Sequence, residues 1–365
     1  LTALIETDVA QAFDLAELPL LRFALYKLAP DDFLLTQVEQ HYVHDGWSMN
    51  LILRELLALY DTDMDDALPR PAAQYRDYAL WQRSEAAQAR FMAQATYWKR
   101  KLEGVSLELP LRTDFPRPAV PCYAGDQVRV VLPQALSRAL RAFCRDEGAT
   151  LFAAMQAAYR MTIAYFAGSD DFLIGSAVGN RVWRKSESMA GMFVNMIPTR
   201  CDLSGDPSYR ALIERTTAEL AEGYANQEAP FEWVVREAHP QREFARNPLF
   251  QTAFSTHNSP GPQLEWPEFS LKIHEVYGNR TSKFDFDAVM IPRATDDPDG
   301  ITLFWEYCVA LYRRETIERL HETYLRVLAQ CVARPSLRMS DVEFLAPEER
   351  ARLLEGGFRV AEPVV

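Results

Sequence analysis

Residues 33–60 read FLLTQVEQHYVHDGWSMNLILRELLALY, and a change of rhythm inside them decides how the chain is built. From Phe33 to His41 the residues fall into two sets of period two: Leu34, Thr36, Val38 and Gln40 on one face, Leu35, Gln37, Glu39 and His41 on the other. Gln40 and His41 are therefore expected to point opposite ways. From Met49 onward the period lengthens, with Met49, Ile52, Leu53, Leu56, Leu57 and Tyr60 at helical spacing and Ser48 as the expected N-cap. The stretch predicts a strand end, a tight loop and a helix start. The loop holds His41, His44 and Asp45 and closes on Gly46.

Working outward, LLRFALYKL (20–28) precedes the turn signal APDD (29–32), so residues 20–28 and 33–41 predict two antiparallel strands. Residues 75–104 carry one long helical pattern, and the proline-dense segment that follows marks a lobe boundary. We expect an N-terminal lobe at 1–112, a C-terminal lobe at 113–345 and an exit linker at 346–365. In the C-terminal part, helices are predicted at 134–146, 151–166 and 315–333, and strands at 172–178 and 301–307. Interleaved strands and helices imply an α/β sandwich, and 365 residues suit two packed lobes.

Composition narrows the function. The chain carries 39 Lys and Arg against 51 Asp and Glu, a net charge of −12, with no basic run; a nucleic-acid partner is not expected. Five cysteines, scattered and never in a CxxC pair, read as reduced, cytoplasmic usage. No stretch approaches the ~18 apolar residues that would span a membrane, and no secretory signal layout opens the chain. The sequence lacks an initiator Met and reads as a piece of something longer.

The loop can support proton-transfer chemistry. His41, at a strand end, is the candidate base, because an imidazole with a pKa near ~6.5 is largely neutral at pH 7. Asp45 can fix the loop through a charged hydrogen bond to an arginine. Gly46 permits a tight turn, and its N–H, at a helix start, could face a developing oxyanion. Trp47 and Ser48 are candidate substrate contacts, with packing and helix capping as their structural alternatives. His44 reads as a loop residue, and His239, His257, His274 and His321 have no companions that single them out. A zinc site on His41, His44 and Asp45 lacks a further ligand at standard spacing, so no metal is expected. No GxSxG, P-loop or GxGxxG occurs.

Further stretches follow in a fixed order: AFDLAELPLLR (12–22), YRDYALWQR (75–83), RTDFPRP (112–118), GMFVNMIPTR (191–200), NQEAPFEWVV (226–235), REFARNPLFQ (242–251) and KFDF (283–286). Together with the loop they resemble the condensation domains of nonribosomal peptide synthetases. The resemblance implies two chloramphenicol-acetyltransferase-like α/β sandwich lobes in a V around a central tunnel. It implies amide formation between a carrier-bound acyl or aminoacyl thioester and a carrier-bound aminoacyl acceptor. No cofactor would bind directly; phosphopantetheine arms would arrive on donor and acceptor carrier proteins, and an adenylation domain would adjoin the LAPEERARLLEGG tail (345–357).

The family's HHxxxDG motif places its second His, Asp and Gly on His41, Asp45 and Gly46, while Gln40 stands where the first His would be. Gln40 is then a supporting residue, Arg181 in GSAVGNR the partner of Asp45, and Asn195 a residue lining the tunnel. FSTHNSPGPQLEWP (254–267) with KFDFDAVMIPR (283–293) is similar to starter-type members, which leaves a fatty or polyketide acyl donor open beside an aminoacyl one. Two alternatives carry over: a catalytically silent platform for carriers or tailoring enzymes, and an epimerization domain.

Overall fold

The computed structural model describes residues 1–61, 68, 70–238, 245–257, 270–272, 280–293, 297 and 299–355. His239, His274, the part of 254–267 beyond His257 and the chain after 355 lie outside the described residues.

A short helix, α1 (Thr2–Ala10), leads to the hairpin β1 (Leu21–Ala29) and β2 (Asp32–Glu39). The two strands pair antiparallel from Leu21↔Glu39 to Ala29↔Asp32 and form a sheet of their own. Then comes α2 (Gly46–Asp61), at the point where the period changes in the sequence. The strand stops at Glu39, before Gln40 and His41, so alternation along a strand does not decide where those two side chains point.

The expected single helix at 75–104 is two: α3 (Tyr75–Gln82) and α4 (Glu85–Lys101). Ser84 divides them, because its hydroxyl accepts the N–H of Ala87 and so starts a new helix. Both belong, by packing, with the larger half of the molecule. Trp98 is buried and donates from Nε1 to the Asn226 carbonyl (2.9 Å), while Tyr75 donates to the Met192 carbonyl (2.7 Å).

That half is built on β3 (Gly125–Val131), β4 (Asp171–Val178), β5 (Asn195–Asp202), β6 (Thr252–Thr256), β7 (Phe286–Ile291) and β8 (Thr302–Cys308). They form one sheet in the order β3-β8-β7-β6-β4-β5, with β4/β6 and β6/β7 parallel and the other pairs antiparallel. Helices α5 (Gln134–Asp146), α6 (Leu151–Ala167), α7 (Tyr209–Ala225), α8 (Phe231–Ala238) and α9 (Arg314–Ala333) pack around it, and α10 (Pro347–Glu355) follows. Phe172, Ile174, Phe254, Phe286, Met290, Leu303 and Trp305 all point into one apolar core with α5, α6, α7 and α9.

The sequence of α6 explains its central place. Every residue from Ala153 to Ala164 is buried, and the many alanines let neighbouring elements approach closely. Thr150 caps its start through Ala153 N–H, and Gly168, at φ 65°, closes it in the left-handed region that favours glycine. Burying an aromatic such as Trp305 removes roughly 150–250 Å² from water, about 4–6 kcal/mol at ~25 cal/mol/Å². The fold class is thus the expected α/β one. Among the described residues no helix is long and apolar enough to cross a membrane.

Candidate active site

Asp45, not Ser48, is the N-cap of α2. Its Oδ1 accepts from the Ser48 N–H (2.9 Å), the third residue of the helix, and its carbonyl accepts from Met49 N–H (3.0 Å). Asp45 is only 1% exposed, and a buried carboxylate needs a charged partner. Arg181, on the segment leaving β4, supplies it at 2.7 Å from Oδ1. Asp45 Oδ2 accepts from Phe193 N–H (3.2 Å). Arg181 is held in turn: it donates to the carbonyls of Ser186 and Met189 and lies over the Phe193 ring at 4.2 Å.

Ser48 completes the joint. Its hydroxyl donates to Asp45 Oδ1 (2.7 Å) and accepts from Gly191 N–H (2.9 Å) and Arg181 (3.0 Å). Fully buried and so engaged, Ser48 is a fastening residue, which corrects its assignment as a substrate contact. Gly191 is required there: a Cβ on it would lie 2.1 Å from the Tyr75 ring. Trp47 also bridges, since its Nε1 donates to the Glu187 carbonyl at 2.8 Å. The loop that begins α2 is thereby bolted to the larger half through Arg181, Glu187, Gly191 and Phe193.

Asn195, expected to line a tunnel, is half-buried. Its amide Nδ2 donates to the carbonyls of Gln227 (2.8 Å) and Ala229 (2.7 Å), so it clamps the chain before α8. Gln40 accepts the Tyr42 N–H on its side-chain oxygen, a bond within the loop itself.

His41 is solvent-accessible on this fixed loop. Its Nδ1 lies 3.0 Å from the His44 carbonyl, which can only accept, so Nδ1 carries the proton and Nε2 holds a lone pair. That tautomer makes Nε2 the proton acceptor. The His41 and His44 rings stack with centroids 5.2 Å apart. Gly46 is the first residue of α2, where the N–H groups have no partner within the helix and the dipole favours negative charge.

Sequence spacing gave no signal for His257, just past β6. Burial lowers its pKa, helped by the positive charges of His41, Lys283 and Arg293, so His257 lies within electrostatic reach of His41. Nor did it pair Glu39 with His44, whose contact at 3.0 Å joins a strand end to the loop. Among the described residues no cluster of His, Cys, Asp and Glu could hold a metal ion.

A histidine is thus presented on a loop that a buried Asp–Arg pair locks onto the larger half of an α/β fold. The Condensation domain profile matches residues 1–354, and the chain belongs to that family, the condensation domains of nonribosomal peptide synthetases. It is similar to tyrocidine synthase 3 of Brevibacillus parabrevis, 32% identical over 352 residues, which are 96% of this chain and 5% of that protein. The chain therefore spans less than a tenth of that relative's length. Among solved structures it is similar to the X-domain from teicoplanin biosynthesis (TM-score 0.80, 25% identity, 94% of this chain and 78% of that one). It is likewise similar to SgcC5 from Streptomyces globisporus (TM-score 0.75, 26% identity, 92% of this chain and 77% of that one).

Proposed function

We propose that this domain catalyses amide formation between a donor acyl or aminoacyl thioester and an acceptor amine, each delivered on the phosphopantetheine arm of a carrier protein. The observation that carries this reading is the accessible His41, with its Nδ1 held by the His44 carbonyl and its loop locked by the buried Asp45–Arg181 pair. A thioester is already activated, so no enzyme nucleophile is needed. The acceptor nitrogen attacks the thioester carbonyl, the C–N bond forms, and the C–S bond breaks as the tetrahedral intermediate collapses. His41 Nε2 takes the proton that the attacking nitrogen must lose and returns it to the departing sulfur, which leaves as a free thiol. The N–H of Gly46, at the positive end of α2, is suited to stabilise the developing oxyanion. No cofactor is bound by the domain in this reading. Its partners are donor and acceptor carrier proteins and an adjoining adenylation domain; its setting is cytoplasmic, without nucleic acid or membrane.

The test is intact-mass detection of condensed product on an aminoacyl acceptor carrier, offered a panel of fatty acyl, polyketide acyl and aminoacyl donor thioesters. Product with one donor class supports the reading and assigns the donor. No product with any class contradicts it. A second reading, a silent platform that recruits carriers or tailoring enzymes, is favoured by one feature, Gln40 in place of the first motif histidine. Carrier binding without turnover would select it.

A further inference from the structure

Beneath His41 lies a polar pair that the reaction as described does not use. Glu39 is the last residue of β2, and its Oε1 accepts from Gln37 Nε2 (3.0 Å) and meets His44 Nε2 at 3.0 Å. The side chains of His44 and Glu39 are only 16% and 8% exposed. A glutamate at a strand end beside a short loop would ordinarily reach into water, since burial of a carboxyl is costly without a partner. Here it turns inward. Oε1 is thus held between Gln37 Nε2 and His44 Nε2, and the carboxyl and the ring fix each other's position.

The consequence reaches His41 by two routes. The main-chain carbonyl of His44 accepts from His41 Nδ1, and the His44 ring stacks on the His41 ring at an interplanar angle of 27°. Glu39 thus anchors His44, and His44 sets both the rotation and the tautomer of His41. Burial raises the Glu39 carboxyl to about 7 against the hydrogen bond from Gln37, and lowers His44 to about 4, helped there by the charge of His41 and opposed by Asp45. Among the described residues, Asp45 acts on His44 from the loop, and His41 and His257 act on one another through their charges.

We propose that Glu39 and His44 are positioning residues that orient the His41 imidazole and hold its proton on Nδ1. The proposal rests on His41 being the base for its catalytic meaning, but the geometry it asserts can be read without turnover. Fifteen-nitrogen NMR of the ring nitrogens, on the whole chain, reads the His41 tautomer directly in the wild type, Glu39→Gln, Glu39→Leu and His44→Phe. Single-turnover condensation with the same proteins reads the chemistry.

The wild type is expected to show Nδ1 protonated and Nε2 bare. Glu39→Leu, which removes the hydrogen-bonding partner of His44, and His44→Phe, which keeps the stacked ring but not the hydrogen bond, should each give mixed tautomers and a rate about tenfold to a hundredfold lower, with acceptor KM unchanged. Glu39→Gln keeps a hydrogen-bonding partner for His44 and should restore both. Mixed tautomers in the wild type overturn the proposal whatever the variants do. So does a tautomer indifferent to Glu39→Leu and His44→Phe, even where product forms and the function stands. A Glu39-dependent tautomer in a wild type that makes no product supports the positioning and removes the function instead.

Discussion

Asp45 does two jobs with one carboxylate. It caps α2 and it receives Arg181, and both partners are almost wholly buried, at 6% and 1% side-chain exposure for Arg181 and Asp45. Removing one member leaves a buried charge uncompensated, which costs about 3–5 kcal/mol. We predict a loss of that size for Asp45→Ala and for Arg181→Met by urea unfolding. The double variant should be less destabilised than the sum, since it leaves no lone charge. Additive losses would show that the two do not interact. In the sequence Ser48 is the expected cap, although aspartate suits that position as well. The choice is settled by where the helix begins, and that depends on Arg181 and Gly191, more than a hundred residues away. The link from Asp45 to Arg181 came from the family resemblance, while the Glu39–His44 pair had no signature, a strand-end acid being ordinarily solvent-exposed.

At the scale of elements, α9 carries a buried histidine with no hydrogen-bond partner. Neither ring nitrogen of His321 has a partner, and its ring lies edge-on to Trp305 at 5.9 Å. Burial lowers its pKa to about 4, from ~6.5 in an unfolded chain. A base depressed in the folded state contributes stability that is complete above ~6.5 and is lost as pH falls through the folded value. Between those limits the wild type should lose about 3 kcal/mol on this account. His321→Leu should flatten the acid limb of a stability–pH curve over that interval; an unchanged limb would show that His321 is not buried neutral. The helix itself was legible, because Ile317, Leu320, Tyr324, Leu328 and Cys331 form one stripe and all are buried. The break at Ser84 was not legible, because Glu85–Lys101 continues the helical period of Tyr75–Gln82 and only the cap distinguishes two helices from one.

Across the whole molecule, stability is unevenly spread. The hairpin β1–β2 is at most half-buried along both strands, whereas β4 and β7 are buried almost throughout and α6 is enclosed. Amide hydrogen exchange should therefore be fastest in the hairpin and slowest in α6, β4 and β7. Equal protection in the two sheets would mean that the hairpin is stabilised by more than its own pairing. Continuous or alternating apolar runs made β4 and β8 of the large sheet readable, but not its other four strands or its order, since β4/β6 and β6/β7 are joined by long connections. In the proposed reading this frame serves to present one imidazole, on a loop that Arg181, Glu187, Gly191 and Phe193 fasten to the larger half. The most direct measurement is the single-turnover rate of amide formation for the wild type and for His41→Ala, with thermal unfolding measured on both. Because His41 is solvent-accessible, unfolding should be unchanged while the rate falls a hundredfold or more, as expected for a lost general base; equal rates would contradict the assignment of His41 as the catalytic base.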